Sequence, residues 1–229
     1  MKDSQQAAAS SHQKIGGIAA LVEAATFIFG FVLLLGLLTD YTTGNPSVTE
    51  SVEFVVDNQG SLFAWYLAIY IFFGVALVPL VIAMYERIRA GSLILAQTAA
   101  AFGFIWAVLV LASGMIAIIG LDTVSDLSNS NPDQAEAVWS SLDAVHNALG
   151  GGNEIVGGIW ILLVSVGAMR AASLPNVLNY LGMIAGIAGI VTIVPALEDV
   201  GAIFGLGLIV WFIWAGLRMI RGESEPGMN

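Results

Sequence analysis

LFAWYLAIYIFFGVALVPLVIAM, residues 62–84, runs into Tyr85-Glu86-Arg87-Ile88-Arg89, and that junction decides the fold. A charge-free stretch of 23 residues is far longer than a strand and rises about 34 Å as a helix, enough to cross a hydrocarbon layer of about 30 Å. Arg87 and Arg89 mark where the chain re-enters water. The same reading extends in both directions, giving further spans at Ile15 to Leu38, Leu93 to Gly120, Gly150 to Met169, Val177 to Leu197 and Gly201 to Ile220. The span at 93–120 is longer than the layer requires and is expected to tilt. The stretch 15–38 exceeds a signal-peptide core and no small-x-small cleavage site follows it, so it is expected to be retained as the first span. The expected fold is all-α: a polytopic membrane protein of six transmembrane helices over 15–220, between polar tails at 1–14 and 221–229.

Composition agrees with that reading. The 229 residues are 58% hydrophobic and 10% charged, with a mean hydropathy of +0.87, more apolar surface than a soluble fold can hide. All the basic residues, Lys2, Lys14, Arg87, Arg89, Arg170, Arg218 and Arg221, fall at alternate span ends. The positive-inside rule therefore places both termini in the cytoplasm of a cell bounded by a plasma membrane. Eleven of the 17 acidic residues fall in the stretches 39–61, 121–149 and 198–200, which contain no lysine or arginine. This face either concentrates cations or is a solvated surface suited to a salty or acidic habitat.

Several chemistries are excluded. Without cysteine there is no disulfide framework, thiol relay or thiolate metal site. His12 and His146 lie in a tail and a loop, so facing spans offer no pair of haem ligands, and no metal centre is expected. Lysine at positions 2 and 14 alone rules out a Schiff-base lysine within the bundle and a Gly-Lys phosphate loop. No cofactor and no nucleic-acid partner is expected. The surroundings are the lipid bilayer, with a homo-oligomer or a membrane-complex partner as the candidate contact for glycine-rich spans.

Two outer loops are expected to hold short amphipathic helices. Ser47-Val48-Thr49-Glu50 is a capping box, with Val48, Val52 and Val55 on one face. Asn131-Pro132 opens a helix to about Leu149 whose apolar residues, among them Ala135, Trp139 and Leu142, keep helical spacing. That helix is expected to lie along the membrane surface with Trp139 at headgroup depth. Three spans in each half invite comparison as inverted repeats, and Gly74 to Pro79 resembles Gly189 to Pro195; chance likeness between apolar segments is the plainer reading.

Two carboxylates lie within spans. Glu23 follows Lys14 by nine residues, roughly 13 Å along the helix and near mid-membrane. A charge there costs at least about 2.5 kcal/mol, so the group must be neutral, paired or wetted. Its helical neighbours Gly16, Ala19, Ala20, Thr26 and Gly30 make a small-residue stripe opposite Ile18, Ile28 and Val32, so Glu23 is expected to face protein. It reads either as a proton or cation site, with Gln97, Ser165, Asn179 and Tyr180 as partners at similar depth, or as a neutral group that only fixes packing. Glu154 falls near the opposite end of its span among Gly150, Gly151, Gly157 and Gly158, where a helix or a ligand can come close. With Asp143, His146, Asn147 and Asn153 it makes a candidate outer polar cluster for acid-base work, against the plainer reading of an interfacial histidine with a hydrogen bond.

Gly16 to Thr26 (GGIAALVEAAT), Gly157-Gly158-Ile159-Trp160, Leu174-Pro175 and Leu178-Asn179-Tyr180-Leu181-Gly182 resemble a widespread prokaryotic multi-pass family known as a domain of unknown function. The resemblance covers Ile15 to Ile220 and implies a six-helix membrane fold; it supplies no activity, cofactor or site. The residues themselves favour a small carrier or channel-like protein with a proton- or cation-binding Glu23. The alternatives are a non-catalytic accessory or scaffold subunit, and a membrane-embedded enzyme using His146 and Glu154.

Overall fold

The computed structural model describes residues 2–39, 46–149 and 154–222, and every regular element among them is helical. In chain order these are α1 (Lys2–Gly36), α2 (Val48–Asp57), α3 (Gln59–Ile88), α4 (Leu93–Ser128), α5 (Pro132–Ala148), α6 (Glu154–Arg170), α7 (Asn176–Val191) and α8 (Gly201–Arg221). A 3-10 turn, Pro195–Val200, precedes α8.

Among the described residues, four helical stretches are long and apolar enough to cross a membrane: Ser11–Gly36, Gln59–Ile88, Leu93–Ser128 and Gly201–Arg221. Their length and composition are those of an integral membrane protein. At 17 and 16 residues, α6 and α7 are shorter. The start of the expected fourth span, 150–153, lies outside the described residues. The expected fifth span continued to Leu197, but the helix stops at Val191. Thr192 caps it by donating from Oγ1 to the Gly189 carbonyl at 2.7 Å, and Pro195, which has no N–H, starts the 3-10 turn instead. The first helix begins at Lys2, so the polar N-terminal residues continue the helix of the first span.

Local signals act where the spacing placed them. The Ser47 N–H donates to Glu50 Oε2 at 2.7 Å and the Glu50 N–H to Ser47 Oγ at 3.2 Å, which closes the capping box that starts α2. Asn131 caps α5 by accepting from the Gln134 N–H, with Pro132 at the first position. Gly222, at φ +67, ends α8 in the left-handed conformation that glycine adopts without strain. Within α3, Leu67–Phe72 widens into a π-helical turn, which no feature of the apolar run announces.

The chain divides into two compact units. Unit 1 comprises residues 1–25, 75–108 and 152–229, and unit 2 comprises 26–74 and 109–151. In unit 1, α6 and α7 touch backbone to backbone: a Cβ on Gly158 would lie 2.6 Å from the Gly186 carbonyl oxygen, and one on Gly186 would lie 2.7 Å from that of Gly158. Gly17 of α1 and Gly216 of α8 repeat this reciprocal approach, at 2.7 and 2.8 Å. Beside them Trp106, Trp160, Trp211 and Phe212 form a buried aromatic core, with ring centroids 5.7 to 6.4 Å apart along the chain of contacts. Edge and tilted contacts of this kind add roughly 0.5–1.5 kcal/mol per pair beyond area burial.

Unit 2 is built differently. Its charged residues are nine carboxylates, with no lysine or arginine. Polar side chains tie its helices: Thr49 donates to Glu136 at 2.7 Å, Ser125 to Gln59 at 3.3 Å, and Trp65 to the Gly30 carbonyl at 3.2 Å. Trp139, expected at headgroup depth, is 8% exposed and lines a small cavity with Tyr66, Ala117 and Gly120, so its ring is largely covered by protein.

Candidate functional site

The face of α1 drawn from residue spacing is the buried one. Gly16, Gly17, Ala19, Ala20, Glu23, Ala24, Thr26 and Gly30 are buried, while Ile18, Ile28 and Val32 are 44 to 64% exposed. Glu23 itself is 0% exposed. About two turns before Glu23, α1 makes contacts that leave no room for a larger side chain. Gly16 sits against Ala83 of α3, and Gly17 against Gly216 of α8.

The other polar residues assigned to this depth separate into two groups. Ser165 and Asn179 are fully buried in unit 1, and Asn179 donates from Nδ2 to the Leu174 carbonyl at 3.0 Å across the turn that starts α7. Ser165 Oγ packs directly against Gly182, with Trp211 Nε1 on the same spot, so Ser165, Gly182 and Trp211 form a polar point where α6, α7 and α8 meet. Gln97 and Tyr180 are exposed, Tyr180 by 54%, and lie on the outside of the packing.

The glycine-rich faces close within the chain. A Cβ on Gly157 would meet Trp106 and Phe204, and one on Gly189 would meet Phe204; Gly158 and Gly186 face each other. At Gly201 a Cβ would lie 3.6 Å from Glu154 Oε1, so Glu154 reaches from the start of α6 to the start of α8.

The outer polar residues come from both units. Glu154 belongs to unit 1, whereas Asp143, His146 and Asn147 belong to α5 in unit 2; Asn153 lies outside the described residues. Asn147 donates to Asp143 Oδ2 at 3.1 Å. Both ring nitrogens of His146 are engaged, Nδ1 with the Ser113 carbonyl at 3.2 Å and Nε2 with the Tyr70 hydroxyl at 3.0 Å. A carbonyl only accepts, so Nδ1 carries the proton; in the neutral ring Nε2 then accepts from the Tyr70 hydroxyl. Burial holds the imidazole below its usual range, against the Ser113 carbonyl and the Asp143 carboxylate, which act to raise it. Tyr70 also meets the imidazole edge-on, at 5.2 Å between centroids.

A small cavity beside His146, lined also by Tyr66, Trp139 and Asp143, has about 10 Å³ of room for a water centre, enough for one water. An imidazole with both nitrogens occupied and neutral holds helices together; it is not set up as a free base. Tyr70 and Ser113 as partners of His146 were missed in the sequence, because they lie 76 and 33 residues away and share no spacing with it. The repeat of Tyr66 and Tyr70 on one face of α3 was the available signal. Among the described residues, no three His, Asp or Glu side chains are grouped to hold a metal ion.

No curated protein and no solved structure matches this sequence. The signature of the family described as a domain of unknown function, DUF4386, matches residues 15–216. Covering most of a chain of apolar helices, that match shows that this protein belongs to the DUF4386 family.

Proposed function

We propose that the chain is a small carrier with six spans and cytoplasmic termini, in which Glu23 takes up a proton or cation. The observation that carries this reading is the complete burial of a carboxyl group on the small-residue face of α1, midway along a membrane helix. Burying a glutamate at this position is costly. Its neighbours Ala19, Ala20 and Ala24 fill the same face without the desolvation that a carboxyl incurs. Ser165 and Asn179, buried in the same unit, supply hydroxyl and amide groups of the kind an ion path uses. As spans four and five, α6 and α7 rise about 26 and 24 Å, close to the hydrocarbon thickness. A carrier needs a water path to Glu23 and a scaffold subunit needs it sealed; Glu23 is fully buried, so transport requires movement of the helices around it.

The scaffold reading asks for small-residue faces left open to other proteins. Gly157, Gly158, Gly182 and Gly186 are closed against the chain's own helices, which favours the carrier.

The test is proton flux in reconstituted vesicles carrying an internal pH dye. Wild-type protein is expected to dissipate an imposed pH gradient, and Glu23→Gln, which keeps shape but loses the exchangeable acid, to abolish the flux while folding normally. Glu23→Leu is expected to disturb packing as well. Wild-type flux equal to that of empty vesicles, or full flux in Glu23→Gln, would overturn the proposal.

A further inference from the structure

In unit 2, α3 begins at Gln59 beside the segment of α4 around Leu121. Between them lies a groove of about 350 Å³, lined by Gln59, Gly60, Phe63, Ile118, Ile119 and Asp122. Its walls change character within one helical turn. Phe63 and Ile119 are 45% and 67% exposed, so both offer apolar surface outward in a chain built of membrane-spanning helices. Asp122, one turn beyond Ile119, is an exposed carboxylate. Gln59, one turn before Phe63, closes the same end of the groove. The groove thus straddles a boundary between apolar and polar surroundings.

We infer that this groove holds a phospholipid with a primary-amine headgroup, of the phosphatidylethanolamine type. The charges decide the class. Asp122 is a hydrogen-bond acceptor for an ammonium, and no lysine or arginine of unit 2 competes for it. The nine carboxylates of the unit repel an anionic lipid and leave a zwitterion unopposed. Gln59 accepts from Ser125 through its carbonyl oxygen, so its amide N–H groups remain donors suited to a phosphate oxygen. An acyl chain then runs along Phe63, Ile118 and Ile119. Carboxylate and amide donor share the polar end of the groove and the apolar wall extends from it, as ammonium and phosphate sit together at the head of the acyl chains in such a lipid.

Delipidated full-length protein, incubated with phosphatidylethanolamine or phosphatidylglycerol of identical acyl chains, tests this by native mass spectrometry. Wild-type protein is expected to retain the ethanolamine lipid about fivefold more than the glycerol lipid, the scale of one charge-assisted hydrogen bond at a half-wet site. Asp122→Asn should clearly reduce that ratio, leaving the part set by the eight remaining carboxylates of the unit, whereas Asp126→Asn, one turn further along α4 and outside the groove lining, should largely preserve it. Equal retention of the two lipids by wild-type protein, or an undiminished preference in Asp122→Asn, would overturn the inference.

Discussion

Replacing Gly158 by alanine is the sharpest test of how unit 1 is held together. The added Cβ would lie 2.6 Å from the Gly186 carbonyl oxygen and 3.0 Å from the Ile190 amide nitrogen, both main-chain atoms of α7. Neither can rotate away, so α6 and α7 must separate by several tenths of an ångström along their contact. Overpacking of this kind costs about 1–3 kcal/mol, and an obstacle made of backbone belongs at the upper end. At roughly 2–4 °C per kcal/mol in a chain of this size, about 3 kcal/mol lowers Tm by roughly 6–12 °C. Thermal unfolding of purified protein followed by tryptophan fluorescence reads this directly, because Trp160 lies on α6 in the aromatic core. Gly36→Ala, whose Cβ meets nothing within 4 Å, is the control and should not lower Tm, since alanine is the better helix former. The double variant Gly158→Ala, Gly186→Ala should fall less than the sum of the two singles, since one separation of the helices relieves both clashes. A Gly158→Ala protein as stable as wild type would refute the backbone-to-backbone account of this pair.

Other expectations follow from the same geometry. Cysteines placed at Asn58 and Ser128 should react with an impermeant thiol reagent on intact cells and one at Ser92 should not; labelling at Ser92 alone would invert the topology. Because burial depresses the His146 pKa, the unfolded chain takes up a proton near pH 6.5 that folded His146 resists, so stability is full above about pH 6.5 and falls as the pH drops below it. The difference in Tm between about pH 7.5 and about pH 5.5 should therefore shrink in His146→Gln, and an unchanged difference would exclude this residue as its source. Tyr70→Phe leaves the buried Nε2 without its donor and should cost about 1–2 kcal/mol by thermal unfolding, whereas no loss would mean that the hydroxyl is idle.

The long spans were legible because uninterrupted apolar runs closed by arginines have few other solutions, and α3, with Arg87 in its last turn, is the clearest case. The buried face of α1 was legible as well, since glycine and alanine recur at helical spacing around Glu23 while larger residues fill the other side. Depth could be read from residue counts, but rotation about the axis was harder to read. Asn179 and Tyr180 lie at the same depth, yet successive residues are turned by about 100° on a helix. Asn179 is buried, and Tyr180 therefore turns outward. Gln97 beside the buried Ala96 is the same case. The end of α7 was misplaced because Ile193 and Val194 continue the apolar run past the point where the Thr192 cap and Pro195 stop the helix. The engagement of His146 depends on a π-helical turn that contains Tyr70 and on a main-chain carbonyl of α4, features that leave no mark in composition or periodicity.

Proton exchange between Glu23 and water is what a carrier with a proton- or cation-binding Glu23 requires. It is most directly tested by infrared difference spectroscopy of the reconstituted protein after a change of pH, with the Glu23→Gln spectrum subtracted. The account predicts a carboxylic-acid carbonyl band that appears and disappears reversibly in wild-type protein and is missing from the variant. Wild-type and Glu23→Gln spectra that coincide throughout the range in which the protein stays folded would contradict it, and would leave Glu23 as a packing residue.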